Sequence, residues 1–196
     1  MIRVSEPTPP LPRRERARGE GPHPHSLSRR EREASRGAHN AHFFTMKLQL
    51  SVQYAAARAG LPATSTLQRW AGAALHGLGR RRVALGVRIV GAAESAALNH
   101  RFRRQHGPTN VLSFPFEAPS GTRSELLGDL VICAPVVRRE AREQQKLLRA
   151  HWAHMVVHGI LHLRGYDHLK RRDATVMEKK EIRILKELGF TNPYIS

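Results

Sequence analysis

The sequence predicts a mixed α/β domain on three observations: two runs that alternate apolar with polar residues, two shorter extended runs downstream, and helical apolar spacing in the intervals. Leu48, Leu50, Val52 and Tyr54 alternate as a half-buried strand does, and Val83, Leu85, Val87 and Ile89 repeat the pattern. Val111 to Phe116, after a Gly-Pro turn at Gly107 and Pro108, and Leu130 to Cys133 bring the sheet to about four strands. Between the first two strands, Leu67, Trp70, Ala71, Ala74 and Leu75 make the apolar stripe of a helix that Thr64 or Ser65 can cap. Ala92 to Phe102 reads as a second helix. Pro135 suits the first turn of a third, whose polar length from Arg138 to Lys146 leads to a fourth at about Ala150 to Leu163. Asp173 is the expected cap of the last helix. Val176, Met177, Ile182, Leu185 and Leu188 are its expected buried side, with Met177 ordinary core, and Gly189 is its stop.

Length and composition bound the rest. A chain of 196 residues with 40% hydrophobic content suits one domain with a tail. Residues 1–45 hold six of the twelve prolines, nine arginines, five glutamates and no lysine, a composition that buries too little apolar surface to order itself. A disordered Pro/Arg-rich extension over 1–45 and a folded domain over 46–196 are therefore expected. Met46 opens the first patterned segment and is an alternative start, which would make the extension a misassigned one. Of the net charge of +17, only +4 falls in the extension, so +13 belongs to residues 46–196 and points to a polyanionic partner, nucleic acid first. Cys133 is the single cysteine, which excludes an internal disulfide and a cysteine-rich metal site. No stretch approaches a membrane span and the N-terminus lacks an apolar signal region, so a cytoplasmic protein is expected.

The chemistry concentrates in H-G-I-L-H-L-R-G-Y-D-H, where His158, His162 and His168 have the spacing H-x-x-x-H-x-x-G-x-x-H. Residues i and i+4 share a helix face, so His158 and His162 can present their rings to one ion, and a turn at Gly165 can return His168 to it. Three neutral nitrogens leave a fourth position on zinc open, the mark of a catalytic rather than a structural site. Imidazole suits nickel or copper as well, and ligand type alone does not separate them. Metalloproteases with this spacing carry glutamate directly after the first histidine, as general base. Gly159 stands there instead. Losing that base costs about 100- to 10,000-fold, which disfavours a peptidase. Phosphodiester cleavage depends more on neutralising charge around phosphorus, work for a cation and a guanidinium.

The run H-W-A-H-M-V-V-H-G-I-L-H-L-R-G-Y-D-H from His151 to His168 closely resembles the signature of the YbeY family of bacterial rRNA maturation factors. P-T-N-V-L-S-F-P-F-E at Pro108 to Glu117, G-D-L-V-I-C at Gly128 to Cys133 and the ending L-G-F-T-N-P-Y agree with it, in order, across residues 46–196. The resemblance implies a single domain with a small mixed sheet flanked by helices and a zincin-like histidine helix. It implies one zinc ion per chain on His158, His162 and His168, and a single-strand-specific endoribonuclease. It further implies roles in maturation of the 16S rRNA 3′ end, in small-subunit assembly and in ribosome quality control, with rRNA, the small ribosomal subunit and its proteins as partners. The family's important arginine falls on Arg103 in L-N-H-R-F-R. Its planar fork of donors matches phosphate oxygens and stays charged. One departure is His106, where the family usually has an aspartate two residues before Pro-Thr, a change that bears on how Arg103 is oriented.

Three further residues are candidates. His154 precedes His158 by one helical turn and can orient a ligand or touch RNA, or simply pack inside. Asp167 can accept a proton from an imidazole or stabilise the turn, and Asp129, in G-D-L-V-I-C, can serve the site or cap a strand end. Two rivals keep the metal: a non-catalytic rRNA-binding assembly factor, and the disfavoured metallopeptidase. Oligomeric state is not legible in the sequence.

Overall fold

The two alternating runs become neighbouring parallel strands. In the computed structural model, which describes residues 46–122, 124–167 and 171–195, β1 (Lys47–Tyr54) pairs with β2 (Arg82–Val90), Leu50 opposite Leu85. On the other side of β2 lies β4 (Leu126–Cys133), also parallel, and β3 (Val111–Pro115) completes the sheet antiparallel to β4, giving the order β1-β2-β4-β3. Parallel neighbours require crossovers. Helix α1 (Thr64–Leu75) makes the first, and α2 (Ala92–Arg103) with β3 makes the second. Three helices follow: α3 (Ala134–Glu143), α4 (Leu148–Leu163) and α5 (Arg171–Glu187). This is the expected mixed α/β arrangement. The extension over residues 1–45 and His168 lie outside the described residues.

Strand alternation splits the sheet into two faces. Val83, Leu85, Val87, Ile89, Leu130, Ile132 and Val111 join α1, α4 and α5 in the main core, with Trp70 and Trp152 among its largest fully buried side chains. Val90, Leu112, Val131 and Cys133 point to the opposite face, where Val136, Leu98 and Phe114 complete a smaller cluster. Cys133 is therefore buried core, as expected. Helix α4 carries eleven buried residues and is apolar nearly all round, which marks a helix enclosed by its neighbours.

Close approach explains Gly159. A Cβ there would stand 2.8 Å from Leu130 Cδ2 and 3.2 Å from Val111 Cγ2, so the glycine lets α4 lie directly on β3 and β4. Ser113 Oγ uses the same proximity to donate to the Gly159 carbonyl at 3.1 Å. Overpacking of this kind costs about 1–3 kcal/mol. Gly159→Ala is expected to lower the unfolding free energy by that amount, read as a lower urea midpoint at an unchanged m-value, and a midpoint equal to the wild type would refute the close-packing account.

Three local expectations are corrected. Neither Thr64 nor Ser65 caps α1: the N-cap is Ala63, with no side-chain cap bond. Thr64 Oγ1 instead lies 3.3 Å from the Tyr54 hydroxyl, which donates to the Pro62 carbonyl at 2.8 Å, so a tertiary contact takes the hydroxyl from the helix end. Asp173 is inside the first turn of α5, where its charge favours the positive helix end, rather than at a cap. The buried side of α5 is Met177, Glu181, Ile184 and Leu185. Val176 is exposed, while Ile182 and Leu188 are half-buried. The inward stripe therefore includes a carboxylate.

Candidate metal centre

Helix α4 places its histidines at intervals of three, four and four residues, so His151, His154, His158 and His162 run as one stripe along a single face. Buried imidazoles need partners, and two other helices supply them. His151 Nε2 lies 2.9 Å from Glu140 Oε2 of α3. Asn110 Nδ2 donates to both Glu140 oxygens at 3.2 Å, its Oδ1 accepts from the Val111 N–H at 2.7 Å, and its carbonyl accepts from Cys133 N. Asn110 of the P-T-N block thus ties the start of β3 to β4, to α3 and, through Glu140, to α4. Burial pushes the Glu140 carboxyl up, but hydrogen bonds from His151 and Asn110 outweigh it and hold the group below its ordinary value.

Glu181 of α5 occupies the centre of the second arrangement and is fully buried. Its Oε1 is 2.8 Å from His158 Nδ1, its Oε2 is 3.0 Å from His154 Nε2, and Tyr194 donates its hydroxyl to Oε2. Burial raises the carboxyl, yet the bonds from His154 and His158 prevail and keep it well below the usual carboxylate range. Burial, then the charge of Glu181, pushes the Tyr194 phenol well above its ordinary range, so it remains a donor. His154 is lowered chiefly by burial and is neutral.

These protonation states fix which atoms remain for other work. An ionised carboxylate only accepts hydrogen bonds, so the His158 nitrogen that donates to it is Nδ1, which leaves Nε2 turned toward His162. That Nε2 lies 3.1 Å from Nε2 of His162, the two rings standing 4.6 Å apart at 79°. Two nitrogens each about 2.0–2.1 Å from one tetrahedral ion would be about 3.3 Å apart. The donor set therefore fits a cation. Among the described residues, His154, His158 and Glu181 also bring ligand-type atoms within 4.8 Å of one another and could hold a metal. Their separations of 2.8 and 3.0 Å are those of hydrogen bonds already made, so Glu181 acts as the acceptor that turns His158 toward His162.

The remaining candidates are placed as follows. The chain after α4 turns at Gly165, whose φ of 86° favours glycine. Gly165 N donates to the His162 carbonyl at 2.9 Å and Tyr166 N to that of Leu161 at 3.0 Å, which reverses the chain toward Asp167, the last described residue before the position of His168. Arg103 ends α2, and burial lowers its pKa from the ordinary value. The loop beyond it is tethered back to α2: Asn99 Nδ2 donates to the Gly107 carbonyl at 2.9 Å, and Ser95 Oγ pairs with both the carbonyl and the N–H of Thr109. That loop carries His106, whose ring lies 5.3 Å from that of His100, and it leads into β3, the strand packed on α4 at Gly159. Asp129 is not brought to the histidines. It projects from the opposite face of the sheet, over Gly86, where its Oδ1 fills the space a Cβ would need.

Sequence reading missed Glu181, Glu140 and Tyr194. A signal existed for Glu181: it stands at i+4 from Met177 and i−4 from Leu185, a carboxylate inside an otherwise apolar stripe. For Tyr194 there was none beyond its place in the ending block.

The family described as endoribonuclease YbeY matches residues 49–189. The chain is 54% identical to the endoribonuclease YbeY of Methylococcus capsulatus over 75% of its own length and 95% of that protein, and 57% identical to that of Alkalilimnicola ehrlichii over 75% and 91%. The solution structure of TM1509 from Thermotoga maritima resembles it with a TM-score of 0.50 and 25% identity, covering 71% of this chain and 89% of that one. With a family match over residues 49–189 and relatives more than half identical across nearly their whole length, the chain belongs to the endoribonuclease YbeY family.

Proposed function

We propose that this chain is a zinc-dependent endoribonuclease that cleaves single-stranded RNA during maturation of the 16S rRNA 3′ end, acting in the cytoplasm on the assembling small ribosomal subunit. Residues 46–196 form the catalytic domain, and the preceding residues lie outside the family match. The observation that carries the reading is the convergence of His158 Nε2 and His162 Nε2 with Glu181 behind His158. His158, His162 and His168 would hold the ion. When bound, it supplies a Lewis acid at the phosphodiester. Arg103 contributes a guanidinium fork that neutralises charge gathering on the phosphate oxygens in the transition state. Glu181 keeps the His158 proton on Nδ1 and fixes the ring's rotation, while His154 and Tyr194 hold Glu181 in place. Surface charge brings the polyanion in. The peptidase reading fails at Gly159, where Leu130 and Val111 fill the space a side chain would need. Among the described residues no helix is long and apolar enough to cross a membrane.

Purified protein is expected to contain about one zinc per chain and to cut single-stranded RNA, with activity lost on chelation and restored by zinc. A His158→Ala preparation made in parallel should lack both metal and cleavage, which excludes a contaminating nuclease. Metal retained without any cleavage would select the non-catalytic assembly factor instead.

A further inference from the structure

Beyond the metal centre, the described surface exposes two phenylalanines beside a run of arginines. Phe102 is 55% and Phe116 45% exposed, values at which an apolar ring contributes little to folding. Phe116 lies two residues beyond Phe114, just past the end of β3, with its N–H bonded to the Leu127 carbonyl. Phe114 in turn meets Phe102 edge to face, centroids 5.0 Å apart at 72°. That contact holds the Phe102 ring upright while leaving most of it open. Arg101 and Arg104 flank Phe102 and are exposed, and Arg103 is half-buried. The Arg101 guanidinium stands 5.2 Å from the Phe102 ring centre, near the outer limit of a cation–π contact at about 6 Å, so it can turn to a phosphate as a base takes the ring.

We propose that Phe102, supported by Phe114, is a stacking platform for unpaired bases of the RNA substrate, with Arg101 and Arg104 gripping the adjoining phosphates. Aromatic rings bind single strands because every base has a π face, and interleaved cations track the backbone. A duplex keeps its bases stacked on one another and cannot use such rings, so the platform selects single strands before chemistry. The position suits delivery to the metal centre. β3 is an edge strand, with Phe114 on one face and Ser113, bonded to the Gly159 carbonyl beside His158, on the other. A strand held on the rings can pass around that edge, past Arg103, to the histidines. This inference rests on the endoribonuclease reading.

The test is anisotropy binding of the full-length protein to an oligouridine and to a matched oligomer with abasic sites, gels confirming that both stay intact, together with KM and kcat on single-stranded RNA. Wild type should prefer the intact oligomer by about ten-fold, in line with the loss of one stacked base. Phe102→Ala should lose that preference and raise KM by a similar factor with kcat and melting temperature little changed. Phe102→Trp should restore both, and Phe102→Leu should not. Arg101→Ala should weaken both oligomers alike and reduce the salt dependence of binding. Phe102→Leu binding like wild type, or wild type failing to distinguish the two oligomers, would overturn the platform. Absence of cleavage by wild type would instead strike the nuclease reading and leave the binding comparison intact.

Discussion

Arg103→Ala is expected to lower kcat on single-stranded RNA by about 100- to 1,000-fold, the effect of removing one preorganised donor from a site where charge develops. Bound metal should be unchanged, since arginine is not a ligand, and so should KM to within a few-fold, because the exposed arginines around it supply most of the ground-state attraction. Two structural features fix the backbone at Arg103 and partly bury its side chain. It terminates α2, and the loop beyond is stapled to the same helix through Ser95 and Asn99. It is also partly desolvated, the condition under which a guanidinium acts most strongly on a nearby anion. Arg103→Lys should recover little, because an ammonium lacks the planar fork that spans two phosphate oxygens. Single-turnover cleavage, zinc content and thermal melting on the three proteins decide the matter. Wild-type kcat in the alanine variant would remove Arg103 from the reaction, and a rise in KM alone would reassign it to binding.

Arg103 could be found in the sequence but not oriented from it, and that distinction runs through the whole molecule. The four strands and the histidine helix were legible because each is written in local periodicity: alternation over 48–54 and 83–89, and four-residue histidine spacing on a helix apolar enough to be enclosed. Their pairing was not, since the placing of β4 between β2 and β3 depends on contacts far apart in the chain. Helix ends failed for a related reason. Thr64 has the chemistry of a cap, but Tyr54, ten residues away, draws its hydroxyl elsewhere. Glu181 is the sharpest case. A glutamate in a helix rich in lysine and arginine reads as solvated surface, and only the arrival of His154, His158 and Tyr194 from two other segments turns it into a buried acceptor. Gly159 shows the converse. Its absence of a carboxylate was readable as chemistry, while its cause, the close seat of α4 on Leu130 and Val111, was visible only in the fold.

Replacing Glu181 should have the largest effect on stability. Leaving a buried hydrogen-bonding group without its partner costs about 1–3 kcal/mol, and here Ala would strand His154, His158 and Tyr194 together. Glu181→Gln keeps the shape but offers a donor where the carboxylate accepted, so one of the two oxygens' contacts must break. We expect a loss of about 2–4 kcal/mol for Gln. The same change should weaken metal binding by about 10- to 100-fold, because His158 loses the partner that fixes its Nδ1 proton and its ring orientation. Chelator competition on the Gln variant separates this from unfolding. Acid dependence provides an independent check. The folded carboxyl is held below its ordinary value of about 4.3, so it contributes stability that is fully present above that pH and is lost as pH falls toward its folded value. Urea midpoints measured from pH 7 downward should therefore converge for wild type and Glu181→Gln below about pH 4, as the wild-type advantage disappears. A difference that stays constant across that interval would mean that ionisation of Glu181 is not what stabilises the fold, and the carboxylate would lose its place behind His158.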